Sequence, residues 1–342
     1  MKILFVDHAS HLKTHSADFF LDILRESFDV DVFYYEKTYD FTIPKEKINN
    51  SDVVIFWEFL YNRHNLGIPG KRCVFVPMYD NEWGSKWQWK RIAASGMSVI
   101  SFCDAVTRHA KAYGVKNLLN IRFAFDPNAF CEMEGNPREA AFWDRGQIEI
   151  EKIVRIFAPG SIDLLTIFRH AGTGIAKKPL KIGEQTLSFR VEIKESQFLP
   201  QNEFLELQKS FGVYVAPRRR EGIGMAFLEQ FAMGKCVIAH DGATMNEYLV
   251  DGETGLLRDF DRPIRQVTGS DITAVRSNVK LAAQKAFGKW CEDKPLIAPF
   301  IKKAAKLPPL RIGSFTDKLR YSLFLCEGAM LRLTEAISAP RI

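Results

Sequence analysis

Two doubly wound α/β domains are predicted by three features of the sequence. Short apolar runs alternate with helical stretches, the chain changes character near residues 128–150, and a fresh strand–helix series begins beyond that point. Residues 2–6 form a continuous apolar run, the pattern of a strand covered on both faces. A helical stretch follows, in which Phe19, Phe20, Leu21, Ile23 and Leu24 cluster on one face. Residues 29–35, 53–57, 73–76 and 98–102 repeat the strand signature, so a first domain is expected over residues 1–135. The breaker Gly135-Asn136-Pro137 and the charged stretch after it read as a linker over residues 136–152. Residues 153–158 then open a second domain, expected over 153–314. After Pro308-Pro309, apolar residues at helical spacing predict a terminal helix over 315–342 that packs back on the first domain.

The bulk composition bounds the function. A chain of 342 residues, 46% hydrophobic and 26% charged, suits a soluble protein of two α/β domains or one large one. A net charge of +6 favours anionic ligands, and no basic block lies on a nucleic-acid motif, so no nucleic-acid partner is expected. The six cysteines show no C-x-x-C or Cys/His spacing, which argues against zinc or a disulfide framework and for a reducing, cytoplasmic compartment. The amino terminus is charged too early for a signal peptide, and no apolar stretch reaches about 18 residues, the length of a spanning helix.

Residues 211–257 are the informative segment. The run Val213-Tyr214-Val215-Ala216-Pro217 is a buried strand, and Arg218-Arg219-Arg220-Glu221-Gly222-Ile223-Gly224 is a glycine-containing loop. A helix from Met225 to Met233 closes at Gly234, where a left-handed residue costs least. Cys236-Val237-Ile238-Ala239 is the next strand, followed by the loop His240-Asp241-Gly242-Ala243, with Thr244 able to cap a helix through Glu247, Tyr248 and Leu249. In such units ligands sit beyond the carboxyl ends of the strands. Glycine loops and a helix amino terminus favour phosphate there. Glu221 in the loop and Glu229 in the helix are carboxylates able to accept hydrogen bonds from vicinal hydroxyls of a sugar or a ribose.

The order Glu221-Gly222-Ile223-Gly224…Glu229, then Ala232-Met233-Gly234-Lys235-Cys236-Val237-Ile238-Ala239, Asn246-Glu247 and Asp251-Gly252-Glu253-Thr254-Gly255-Leu256-Leu257 resembles the retaining GT-B glycosyltransferases of group 1. Residues 120–126 with Phe130 resemble the family's strand before its linker. The resemblance implies two Rossmann-like domains facing across a cleft, and metal-independent hexosyl transfer from a UDP- or GDP-sugar with retention. It implies a glycan or lipid-linked acceptor, in surface polysaccharide or lipopolysaccharide synthesis, and no cofactor. By it, Glu229 binds the ribose, Glu221 contacts the donor sugar, Gly222, Ile223 and Gly224 lie against sugar and phosphate, and Gly242, Ala243 and Thr244 flank the diphosphate.

The chain departs from this pattern in several places. The family's Arg and Lys after the first strand of the second domain are not found after residues 155–158, which leaves Arg218, Arg219, Arg169, Lys177 and Lys178 as substitutes, with Arg218 and Arg219 read as surface charge rather than donor ligands. Arg220 is singled out by its position beside Glu221. The glycine-rich loop after the first strand is replaced by Asp7-His8-Ala9-Ser10-His11. His8 and His11 either reach the cleft or are structural. Where the family carries a mid-domain histidine, Asp80 is the candidate to face sugar or acceptor as a catalytic residue. Trp83, Trp87 and Trp89 with Lys86, Lys90 and Arg91 suit either peripheral contact with the inner face of a membrane, an acceptor site, or core packing. The triplets Asp29-Val30-Asp31 and Asp259-Phe260-Asp261 are read as turn formation or chance, with no metal required. Two rivals stand beside transfer. One is an epimerase of the same fold, the other a non-catalytic sugar-nucleotide or glycan-binding protein.

Overall fold

The computed structural model describes residues 1–36, 41–60, 68, 70–80, 86–170, 187–196 and 201–310. The expected terminal helix over 315–342, Trp83, Lys177 and Lys178 lie outside them, and of Trp87 only the backbone is described. The first domain runs β1 (Lys2–His8), α1 (His11–Thr14), α2 (Asp18–Arg25), β2 (Asp29–Tyr35), α3 (Lys45–Asn49) and β3 (Val53–Glu58). It continues through β4 (Arg72–Pro77), α4 (Lys86–Ser95), β5 (Ser98–Ser101), α5 (Asp104–Ala112) and β6 (Leu118–Asn120). These strands form a parallel sheet in the order β2-β1-β3-β4-β5-β6. Residues 3–6 of β1 are fully buried, with Ile3 and Phe5 in one core cluster and Leu4 and Val6 in the other. That burial on both faces is why the strand reads as an unbroken apolar run.

The second domain begins earlier than the sequence suggests. Residues 136–144, read as part of a linker, form β7 (Asn136–Asp144), an inner strand of the second sheet. The chain continues through α6 (Ile150–Arg155), β8 (Leu164–His170), β9 (Arg190–Ser196), α7 (Gln201–Ser210), β10 (Phe211–Val215) and α8 (Met225–Ala232). It then runs through β11 (Cys236–His240), β12 (Leu256–Arg258), α9 (Gly269–Asp293) and α10 (Ile297–Ala304). The sheet order is β12-β11-β10-β7-β8-β9, all parallel. Residues 153–158, expected as the first strand, instead end α6 and contribute one isolated bridge from Phe157 to Val267. The misreading has a simple cause. The fully buried apolar part of β7 is only Ala140-Ala141-Phe142, and charged residues flank it on both sides.

A return to the first domain is made by α9 and α10. Thr268 caps α9 with a reciprocal bond to Asp271. Near its far end Trp290 packs edge-on against Phe19 and Phe123, with ring centroids 6.1 and 5.2 Å away. Beyond α10, the Arg72 guanidinium donates to the Leu307 carbonyl at 3.0 Å. The domains are also clasped at α5. The Glu247 carboxylate accepts from the Asp104 and Ala105 amides at 2.6 and 3.0 Å, where the helix dipole favours negative charge. Arg122 donates to the Glu247 carbonyl at 2.8 Å, and the Tyr248 hydroxyl to the Phe123 carbonyl at 2.8 Å. Thr244 is not the expected cap, since its side chain makes no bond to the short turn that follows.

Candidate functional site

Loops leaving the carboxyl ends of β4 and β10 meet between the domains. Gly222 marks the closest approach, because a Cβ there would lie 2.8 Å from Met78 Cβ and 3.0 Å from Asp80 Oδ1. Only glycine leaves room for this contact. Gly224, with φ +82°, turns the chain into α8, and Ile223 is buried. The buried Thr244 hydroxyl donates to the Glu221 and Gly222 carbonyls at 2.7 and 3.1 Å, joining the second candidate loop to the first. A Cβ on Gly242 would lie 3.1 Å from the His240 ring and 3.2 Å from the Arg219 carbonyl, and Ala243 is buried beside it.

The charges here alternate. Arg218 donates to Asp80 Oδ2 at 2.7 Å across the cleft and lies 3.7 Å from Glu221 Oε2. Burial pushes Glu221 up to about 7, with Asp80 adding to the rise and Arg218 and Arg145 opposing it. Asp80 is raised by burial against the pull of Arg218, and its Oδ1 is buried without a hydrogen-bond partner. Such an orphan acceptor carries a desolvation penalty that a ligand hydroxyl would relieve.

Arg145 is the residue the sequence reading missed. It follows β7 directly and stacks over Trp143 at 4.9 Å. Burial and the nearby Arg218 push its guanidinium down, and Glu221 opposes them. The resemblance calls for a cation after the first strand of the second domain, and Arg145 stands there once β7 is recognised. The signal was the run Ala140-Ala141-Phe142-Trp143 ahead of Asp144-Arg145-Gly146. The next lysine, Lys152, donates to the Phe260 carbonyl at 2.9 Å. Of the proposed substitutes, Arg218 is the one in the cleft, while Arg219 pairs with Asp261 at 2.9 Å and Arg169 with Asp144 at 3.2 Å. Arg220 reaches across to Tyr79, with its guanidinium 6.0 Å from the ring.

Glu229 lies in α8, where Gln208 Nε2 donates to its Oε2 at 3.0 Å. Burial raises its pKa, and the Gln208 bond and the Lys235 charge oppose the rise. On the first domain, His11 bridges Asp7 at 2.6 Å and Glu58 at 3.2 Å. Burial alone would lower the imidazole, but these two carboxylates outweigh it and raise it to about 9. His8 is bonded to the Ser10 hydroxyl at 2.7 Å and the Glu36 carbonyl at 3.0 Å. Trp89 is buried against Phe75 and His109, so core packing is its role and it offers nothing to a bilayer. Asp31 lies within β2 and pairs with Lys47 at 2.7 Å. The second triplet forms a turn, with the Asp261 amide donating to Asp259 Oδ1 at 2.9 Å, and ligand atoms of Asp259, Asp261 and His240 also lie within 4.8 Å of one another. The Phe260 amide donates to His240 Nδ1 at 3.3 Å. Among the described residues no helix is long and apolar enough to cross a membrane.

Residues 168–269 match the family model of the glycosyl transferases group 1. That span contains the two candidate loops, Glu221 and Glu229, and leaves out Arg145 and the whole first domain. The structure is similar to that of HepE from Anabaena in complex with UDP, at 15% identity and a TM-score of 0.59, covering 89% of this chain and 100% of that one. It is similar to a glycosyltransferase from Rickettsia africae at 12% identity and a TM-score of 0.56, covering 89% and 98%. It is also similar to WaaG, a glycosyltransferase involved in lipopolysaccharide biosynthesis, at 11% identity and a TM-score of 0.51, covering 88% and 98%. The fold is therefore GT-B, two parallel-sheet domains facing across a cleft. No curated protein sequence matches the chain significantly.

Proposed function

We propose that this chain transfers a sugar from a nucleoside-diphosphate sugar to a hydroxyl of a glycan or lipid-linked acceptor, with retention of configuration. The observation that carries the reading is the juxtaposition of Glu221, Arg218 and Arg145 at the mouth of β7 and β10, one helix away from Glu229. A leaving diphosphate carries charge that two guanidinium groups in a buried site are suited to neutralise. Glu221 and Asp80 offer acceptor oxygens to the hydroxyls of the transferred sugar, while Glu229 takes the ribose diol. Gly222, Ile223, Gly224, Gly242, Ala243 and Thr244 supply close backbone approach around the phosphates, and Arg220 closes the first-domain side.

Two further points support this reading. HepE is described in complex with UDP and also with UDP-glucose, which makes uridine nucleotides the first donors to try. Arg145, directly after β7 and near Arg218 and Glu221, offers the cation that the resemblance calls for, which supports transfer over a non-catalytic protein. Catalysis then rests on positioning and charge, with no step assigned to a metal. The test is calorimetric titration with UDP, GDP and their common sugars, repeated on Glu229→Ala. Selective binding of one nucleotide, lost in the variant, is the expected result. A wild-type protein that takes up none of them removes the donor site. Product that forms without an acceptor, as an isomer of the donor, would instead favour the epimerase.

A further inference from the structure

Lys235 stands where a charge is hardest to explain. Its side chain is fully buried, at 0% exposure, between α8 and β11. Its ammonium donates to the Gln208 carbonyl and lies 3.8 Å from the centre of the Phe211 ring. A buried ammonium is tolerated only beside compensating negative charge, and a ring face plus one neutral carbonyl do not supply it in full. The remaining compensation comes from Glu229, whose charge holds Lys235 up against burial and the nearby Arg276, which together lower it to about 7. The relation is mutual, since Lys235 is among the groups that oppose the rise of Glu229.

Gln208 links the two. It is 1% exposed, and its backbone carbonyl accepts a hydrogen bond from the Lys235 ammonium while its amide donates to Glu229 Oε2 at 3.0 Å. One residue near the end of α7 thus touches both members of the buried pair. Gln208 Oε1 has no hydrogen-bond partner, so the amide is oriented by the carboxylate it serves. The Glu229 carboxylate makes no other hydrogen bond among the described residues, and Oε1 is left for a ligand.

We propose that Gln208 and Lys235 are positioning residues that fix one oxygen of Glu229 and keep its carboxylate ionised, and so set how strongly the site takes the vicinal diol of a nucleotide's ribose. The ribose assignment rests on the function proposed above, whereas the support of Glu229 does not. An ionised carboxylate is a stronger acceptor than a carboxylic acid. A carboxylate with one oxygen already held presents the other at a fixed angle, which reduces the ordering cost of binding.

The experiment uses the full chain and two variants. Lys235→Met preserves the apolar stem and removes the charge. Because it leaves Glu229 buried without that cation, it is expected to cost stability. Each variant is therefore first shown to be folded by urea denaturation, and Gln208→Met carries the test if Lys235→Met is not. Gln208→Met removes the amide and keeps the backbone carbonyl. UDP and 2′,3′-dideoxy-UDP are titrated calorimetrically against each protein. Each variant is expected to lose about tenfold in UDP affinity, the scale of a hydrogen bond to a charged group, and to bind the dideoxy analogue nearly as the wild type does. A merely structural role would weaken both ligands equally, and that result would overturn the proposal.

Carboxyl ¹³C NMR of glutamate-labelled protein gives a readout independent of any nucleotide, with Glu229→Gln assigning the resonance. The Glu229 carboxylate is expected to titrate at higher pH in Lys235→Met than in the wild type. An unmoved titration overturns the proposal even if UDP binds. A moved titration with no nucleotide bound by the wild type upholds the support of Glu229 and overturns the ribose assignment instead.

Discussion

The two sides of the cleft hold their carboxylates by different means. On the second domain, Glu221 faces cations brought from separate elements, Arg145 from the end of β7 and Arg218 from its own loop, and Arg218 is held in turn by Asp80 of the first domain. On the first domain, Asp7 and Glu58 share one imidazole, and Asp7 and His11 are only four residues apart. The second arrangement needs both domains in contact, while the first is complete within one. Charge that is assembled across a cleft can be rearranged by what enters it, whereas a local pair mainly holds a loop in place.

This contrast predicts that the largest loss follows removal of the Glu221 charge. Glu221→Gln should lower turnover by about 100- to 1,000-fold, the scale seen when one preorganised electrostatic group is lost. Nucleotide affinity should change far less, and His11→Gln should leave turnover within about threefold of wild type, as expected for a structural rather than electrostatic change. Initial rates with the sugar nucleotide selected by calorimetry test this. Equal losses in the two variants would erase the distinction between the two sides.

Arg145→Met should come next. Losing a guanidinium that meets a phosphate weakens nucleoside-diphosphate binding by about 10- to 100-fold. Nucleoside monophosphate binding should be nearly unaffected, so comparing UDP with UMP separates a phosphate contact from a general disturbance of the loop. A parallel loss for both ligands would count against a diphosphate role.

Asp80→Asn sharpens the comparison through pH. The Asp80 charge helps push Glu221 up, so removing it lowers the Glu221 pKa from about 7. If turnover needs the ionised carboxylate, its acidic limb moves to lower pH in the variant. If turnover needs the protonated form, the basic limb moves in the same direction. A profile that does not shift would separate Asp80 from Glu221 despite the shared arginine.

What the sequence revealed follows the same division. β1, β3 and β10 were legible because burial on both faces leaves an unbroken apolar run. Glu221 and Glu229 were legible because loop, helix and glycines lie in one contiguous segment. β7 was not, since its neighbours in the sheet bury a strand whose own apolar stretch is too short to be distinctive. With β7 went Arg145. The Asp80–Arg218 pair joins residues 138 positions apart, and no local pattern encodes it. Lys235 and Gln208 are polar residues in otherwise apolar surroundings, so periodicity gives no reason for them.

The smallest expected effect concerns the first-domain side and appears in stability. His11 is raised to about 9 in the folded protein, above the ordinary value of about 6.5 that the unfolded chain would show. Its contribution is therefore fully present below about pH 6.5 and is lost as pH rises through about 9. Asp7 works against this in part, because burial raises its own pKa and penalises the ionised form that the imidazolium needs. His11→Gln should flatten the decline in urea midpoint between pH 6.5 and 9 while leaving the m-value unchanged. If the decline persists in the variant, its origin lies in other groups, and His11 is not the residue through which the first-domain cluster of Asp7, His11 and Glu58 titrates.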